Sequence, residues 1–205
     1  MKNKKILNLY QFLRKKYGKL IWWTHETPFE IMIGAILVQN TQWKNVEKAL
    51  ENLKNNNMFS AEKIRRLSLE TLIQLIKPAG LYNQKATRIK SICDWYKDES
   101  HFQVLRRKRT ATLRKELLSI NGIGHETADA ILLYGFKRTI FVVDAYSQRL
   151  LINEGVIEKQ MPYLELQSLF HNALPKSYLL YSQYHALIVH HSKTLKTSRI
   201  SYDTK

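Results

Sequence analysis

A single cysteine, Cys93, stands among 205 residues. A disulfide within the chain is therefore excluded, and so is a cysteine-built zinc or iron–sulfur site. No apolar run reaches the ~18 residues that a membrane helix requires. The opening Met1-Lys-Asn-Lys-Lys5 lacks the apolar stretch of a signal peptide, so the expected location is cytoplasmic, with no membrane partner. Prolines number 4 and glycines 7, few enough that each marks a definite break in the chain. Acidic residues are also scarce, 17 Asp+Glu against 33 Lys+Arg, which leaves a net charge of +16 and a pI near 9.9. Such an excess predicts a polyanionic partner, because each neutralised phosphate releases counterions. The competing explanation is a compositional lysine bias in Asn/Lys-rich surface stretches.

What is present is helical. Hydrophobic residues make up 44% of the chain, enough for a core. Ile6, Leu9, Tyr10, Phe12, Leu13 and Tyr17 recur at helical spacing and stop at Gly18. Thr27-Pro28 has the form of an N-cap and first turn, opening a helix to Val38 that is apolar almost all round and therefore buried. That helix ends in the polar Gln39-Asn-Thr-Gln42, and Trp43 starts an amphipathic helix. Two short helices follow serine caps at Ser60 and Ser68, and Lys77-Pro-Ala-Gly80 breaks the pattern. Further helices are expected over about 81–96, with Cys93 inward, and over 112–119, 127–136, 146–151, 162–173 and 176–195. Strand character is confined to 140–143. The basic run Arg106-Arg-Lys-Arg109 reads as a linker or a contact surface. The expected class is all-α.

Two features carry chemistry. Ile120-Asn-Gly-Ile-Gly124 places two glycines one residue apart between helical patterns, which reads as a tight hairpin. A hairpin that opens a helix points N–H groups outward at the positive end of the helix dipole, a site suited to a phosphate. A plain helix–helix turn has the same pattern. One helix later, Ile140-Phe-Val-Val143 ends in Asp144, a carboxylate set at the mouth of an apolar segment. It is either the N-cap of the next helix or a group that stabilises positive charge and takes a proton from water. The adjacent Trp22 and Trp23 cannot both face one core from a helix, so at least one is a candidate to line a cleft, with core packing as the alternative.

Ile120-Asn-Gly-Ile-Gly-His-Glu-Thr-Ala128 followed by Val142-Val-Asp144 resembles the helix-hairpin-helix DNA glycosylases of the endonuclease III superfamily. Leu37-Val-Gln-Asn-Thr-Gln42, Gly80-Leu-Tyr-Asn-Gln-Lys-Ala86 and His185-Ala-Leu-Ile-Val-His190 look like blocks of the same family, so the resemblance spans most of the chain. It implies two helical lobes with a DNA-binding cleft between them. One is a six-helix barrel over 28–136 that includes the hairpin at about 112–136. The other joins 1–27 to 137–205 and carries a catalytic Asp144. The implied activity is base excision repair on double-stranded DNA containing a damaged base, by a nucleoid-associated monomer.

Departures from the family pattern narrow the activity. Bifunctional members place a lysine nucleophile directly before the Thr-Ala of the hairpin's second helix, where this chain has Glu126; a carboxylate cannot form the Schiff base of strand cleavage. The family's four-cysteine loop is replaced by Lys193-Thr-Leu-Lys-Thr, so no iron–sulfur cluster and no other cofactor is expected. The catalytic Glu of adenine-mismatch members is Ala35 here. What remains is similar to the 3-methyladenine DNA glycosylase III branch, and the resemblance implies a base pocket of Trp22, Trp23, Trp43, Glu126 and Lys193. Trp23 and Trp43 would stack on a cationic alkylated purine. Glu126 would face that base or pair with a surface lysine. DNA contacts are implied for Gln39, Asn40, Asn83, Lys85, Gly122, Ile123, Gly124 and Thr127, with Gln39 filling the gap left by the flipped base. No metal site from side chains is expected; a monovalent cation on the hairpin carbonyls is a family feature. Two positions depart from the branch: Leu187 stands where it has a pocket lysine, and Thr24 where it has a proline. The alternatives are the same fold acting on mismatched or deaminated pyrimidines, and a non-catalytic helix-hairpin-helix DNA-binding protein.

Overall fold

The computed structural model describes residues 2–20, 22 and 27–202, with side chains to residue 195. Among these residues there is no strand, and the chain divides into two compact units, 25–136 and 1–24 joined with 137–205.

The first of these units is built on α2 (Pro28–Leu37), in which Phe29 and every residue from Ile31 to Leu37 is buried. Thr27 starts it by accepting the Glu30 N–H at 3.2 Å, with Pro28 in the first turn where a missing N–H costs nothing. Around it lie α3 (Trp43–Asn55), α4 (Ala61–Arg66), α5 (Leu69–Ile76), a 3-10 turn at Lys77–Ala79, α6 (Tyr82–Tyr96), α7 (Glu99–Leu105), α8 (Thr110–Ser119) and α9 (His125–Ala130). The chain after α9 widens into a π-turn over Ile131–Gly135 whose residues are all buried. Ser60 and Ser68 cap α4 and α5 through their hydroxyls, and Cys93 lies in the core, as their sequence positions suggest. The helix α7 was not expected. It is seven residues long and buries only Phe102 and Leu105, too few to set a period, and Asp98 starts it by accepting the His101 N–H at 2.8 Å.

The other unit contains α1 (Lys2–Tyr17), α10 (Ala145–Asn153), α11 (Tyr163–Ala173) and α12 (Tyr178–Tyr202). Its core is aromatic: Phe141 and Phe170 stack with ring centroids 4.0 Å apart, and Tyr184 meets both edge-on. The Tyr184 hydroxyl, fully buried, donates to the Ile6 carbonyl at 2.9 Å and so ties α12 to α1.

The strand-like run 140–143 is extended but pairs with no strand. Its backbone is satisfied by α11 side chains instead: Phe141 N–H donates to His171 Nε2 at 2.9 Å, and Gln167 Nε2 donates to the Phe141 carbonyl at 2.6 Å. Two polar side chains thus do what a neighbouring strand would have done. The segment enters the core straight, and Asp144 follows it.

Candidate functional site

The carboxylate and the hairpin belong to different units. Asp144 is the N-cap of α10, so its structural reading holds: Oδ1 accepts the Ser147 N–H at 2.7 Å and the Ser147 hydroxyl at 2.8 Å. Only one oxygen is used this way. Oδ2 faces Nε2 of His185, on α12, at 3.4 Å, and the two side chains are 10% and 9% exposed. Burial alone would raise the pKa of this carboxyl. The His185 ring beside it and the two Ser147 bonds outweigh burial and hold it below the ordinary aspartate value. The result is an oriented, ionised, partly desolvated carboxylate.

Trp22 is half-buried and meets the His185 ring edge-on, centroids 5.7 Å apart at 76°. Trp23 and Thr24 lie outside the described residues. Lys193 is exposed on α12. Leu187 is fully buried on the same helix, so the residue at the branch's lysine position is a core residue.

The hairpin joins α8 to α9. Gly122 has φ +83°, and a Cβ there would lie 2.3 Å from Arg88 Nε, so only glycine fits. Gly124 differs. Its φ is −87° and a Cβ would meet nothing within 4 Å, so the fold itself does not require glycine at this exposed position. Ile123, an implied DNA contact, has its N–H closing the turn on the Ile120 carbonyl at 3.1 Å and its side chain buried. The two helices are locked by a bidentate pair, Arg114 to the fully buried Asp129 at 2.7 and 2.9 Å. Glu126 is exposed in the first turn of α9.

Gln39, just after α2, lies against the hairpin. Its Nε2 donates to Thr127 Oγ1 at 2.8 Å and reaches the Gly122 carbonyl at 3.5 Å, while its Oε1 accepts from Arg88. A cation on the Gly122 carbonyl would have to displace that amide. Asn40 follows in the left-handed region (φ 53°), exposed, and Trp43 is half-buried at the start of α3. Asn83 is exposed on the first turn of α6.

Lys85 overturns its expected DNA contact. It is fully buried and donates to the carbonyls of Leu37 and Ala79, both at 2.8 Å. It therefore caps the end of α2, and burial, followed by the nearby Arg88 charge, lowers its ammonium to about 8. The sequence reading also missed Leu81. This residue is 50% exposed and held at φ 46° immediately before α6, a strained backbone for a bulky apolar side chain. The sequence places His185 only within a family-like block, since a histidine on a buried helix face does not show by itself what it meets.

A family model described as "HhH-GPD superfamily base excision DNA repair protein" matches residues 33–176. The chain belongs to the HhH-GPD superfamily. A Methanocaldococcus jannaschii protein with the provisional name DNA repair glycosylase MJ1434 is 45% identical over 191 residues, which cover 92% of this chain and 87% of that protein. Endonuclease III of Sulfolobus acidocaldarius is 28% identical over 93% of this chain and 88% of its own. The crystal structure of H. pylori 3-methyladenine DNA glycosylase (MagIII), bound to 1,N6-ethenoadenine, superimposes with a TM-score of 0.79 at 30% identity, covering 92% of this chain and 97% of that one. The all-helical HhH-GPD fold and base excision DNA repair by a glycosylase are therefore properties of this chain. Among its described residues no helix is long and apolar enough to cross a membrane.

Proposed function

We propose that this HhH-GPD glycosylase is monofunctional and hydrolyses the N-glycosidic bond of a flipped, N-alkylated purine such as 3-methyladenine. The observation that carries this reading is the state of Asp144: ionised, nearly buried, with one oxygen fixed by Ser147 and the other left for chemistry. An alkylated purine carries a positive charge and leaves without prior protonation. As the bond from C1′ to the base nitrogen breaks, its electron pair neutralises the departing ring and the sugar becomes oxocarbenium-like. Asp144 stabilises that cation and takes the proton of the water that adds to C1′. Likeness to the H. pylori glycosylase supports the alkylpurine class.

Phosphate contacts are assigned to the hairpin around Gly122 and Gly124, where the unneeded second glycine leaves bare backbone for close approach. Gln39 and the exposed, strained Leu81 are assigned to the gap left by the flipped base; apolar wedges of this kind unstack base steps. Glu126 replaces an amine nucleophile, so the enzyme leaves an uncleaved abasic site. It acts as a monomer without an iron–sulfur cluster.

Duplexes containing 3-methyladenine, G·U or G·T are incubated with the protein, and abasic sites are scored after alkali. Release from the alkylated duplex is expected, and its absence sinks the proposal. Release from G·U or G·T alone establishes the pyrimidine reading, which the apolar Leu187 at the branch's lysine position keeps open. Borohydride should trap no covalent protein–DNA complex; a trapped complex would mean lyase activity.

A further inference from the structure

We infer that His185 is the positioning residue of the Asp144 carboxylate, holding Oδ2 in place through Nε2 while leaving it able to accept a proton. The inference rests on the reading of Asp144 as the catalytic group. The two carboxylate oxygens have different partners. Oδ1 takes both Ser147 bonds at 2.7 and 2.8 Å, a saturated arrangement for one carboxylate oxygen. Oδ2 is the oxygen that can meet a reacting water or sugar. Its neighbour is His185 Nε2 at 3.4 Å, longer than a good N–H···O bond of about 2.9–3.0 Å. The contact therefore orients the carboxylate without consuming the lone pairs that the reaction uses.

The histidine can do this because it cannot move far itself. It sits on α12 beside fully buried Tyr184, Ala186 and Leu187, and Trp22 closes edge-on against its ring. Asp144 and His185 come from elements about 40 residues apart in sequence, and only their packing brings α10 and α12 together.

Among the described residues, the groups that face the carboxylate are Ser147, on α10, and His185, on α12. Ser147 does not titrate in the working range. His185 is thus the neighbour from another helix that, with Ser147, opposes the effect of burial on Asp144. Without it, only the two Ser147 bonds would offset burial, so the carboxyl would hold its proton to higher pH and the acidic limb of the reaction would move toward neutrality. A residue that merely fills space would leave that limb where it is.

The test uses His185→Phe, which keeps a ring against Trp22 but has no donor, and His185→Gln, whose Nε2 can stand in for that of the imidazole. Single-turnover base release from a 3-methyladenine duplex is followed against pH, with duplex affinity and melting temperature measured alongside. The Asp144 carboxyl is titrated by 13C NMR in all three proteins. His185→Phe should release base on the order of 10- to 100-fold more slowly, with affinity within about twofold, and both its acidic limb and its carboxyl titration should move up in pH. His185→Gln should recover most of the rate. If His185→Phe keeps the wild-type rate and its carboxyl titrates as in wild type, the inference is overturned. If His185→Phe does not fold, an unmoved carboxyl titration and an unchanged rate in His185→Ala overturn it equally. Failure of the catalytic reading is seen separately, as base release that survives in Asp144→Asn. If wild type releases no base from this duplex, the substrate assignment fails, and the carboxyl titration still decides the role of His185.

Discussion

Gly122 shows how strictly one residue can be constrained. Its left-handed φ and the Arg88 side chain both act against a Cβ, and the backbone there cannot relax without breaking the Ile123-to-Ile120 bond that closes the turn. Gly122→Ala should lower stability by about 1–3 kcal/mol in urea unfolding, the usual cost of a strained site. Gly124→Ala, with no clash and an ordinary φ, should leave the unfolding midpoint nearly unchanged. If Gly124→Ala nevertheless weakens DNA binding, the second glycine serves a ligand rather than the fold. Cys93 presents the opposite situation, a reactive residue type made inert. Burial, with Asp94 adding to it against Arg65 and Lys90, pushes its thiol up to about 12. Thiol reagents at pH 8 should therefore label it only as fast as the protein unfolds; rapid labelling of the native protein would contradict its placement in the core.

At the scale of elements, the hairpin's two helices are tied by a charged pair that is mostly out of water. Asp129 is fully buried and Arg114 is 19% exposed, so removing one partner strands a desolvated charge. Asp129→Asn should cost about 3–5 kcal/mol and lower the melting temperature clearly. A change near zero would mean that the helices are held by apolar packing alone. The same scale explains where sequence reading succeeded. The capped starts at Thr27, Ser60 and Ser68 were legible because an N-cap is a local event, a hydroxyl meeting an N–H three residues ahead. The run 140–143 has strand character because its β-branched and aromatic residues fit an extended backbone, which it adopts; the partners that satisfy it, His171 and Gln167, lie about 30 residues further on and give no local signal. Lys85 was misassigned for a similar reason. A lysine in a polar stretch reads as surface, and only the ends of α2 and the 3-10 turn reveal two carbonyls waiting for a donor.

At the scale of the whole molecule, charge makes its own prediction. With a net charge of +16, affinity for undamaged duplex should fall by more than about tenfold between 50 and 200 mM salt, as phosphate contacts displace counterions. Flat salt dependence in a filter-binding or anisotropy titration would contradict a phosphate-dominated interface. The sequence by itself determined the helical class, the hairpin and its two glycines, the place of Asp144 after a buried run, and the absence of thiolates for a cluster. Each of these depends on residue type and short spacing. Tertiary structure alone decided that Lys85 turns inward, that Gln39 lies against Thr127, and that one Asp144 oxygen meets His185. Those outcomes follow from which buried carbonyls, hydroxyls and carboxylates lack a local partner once the helices pack, and a distant residue then supplies it.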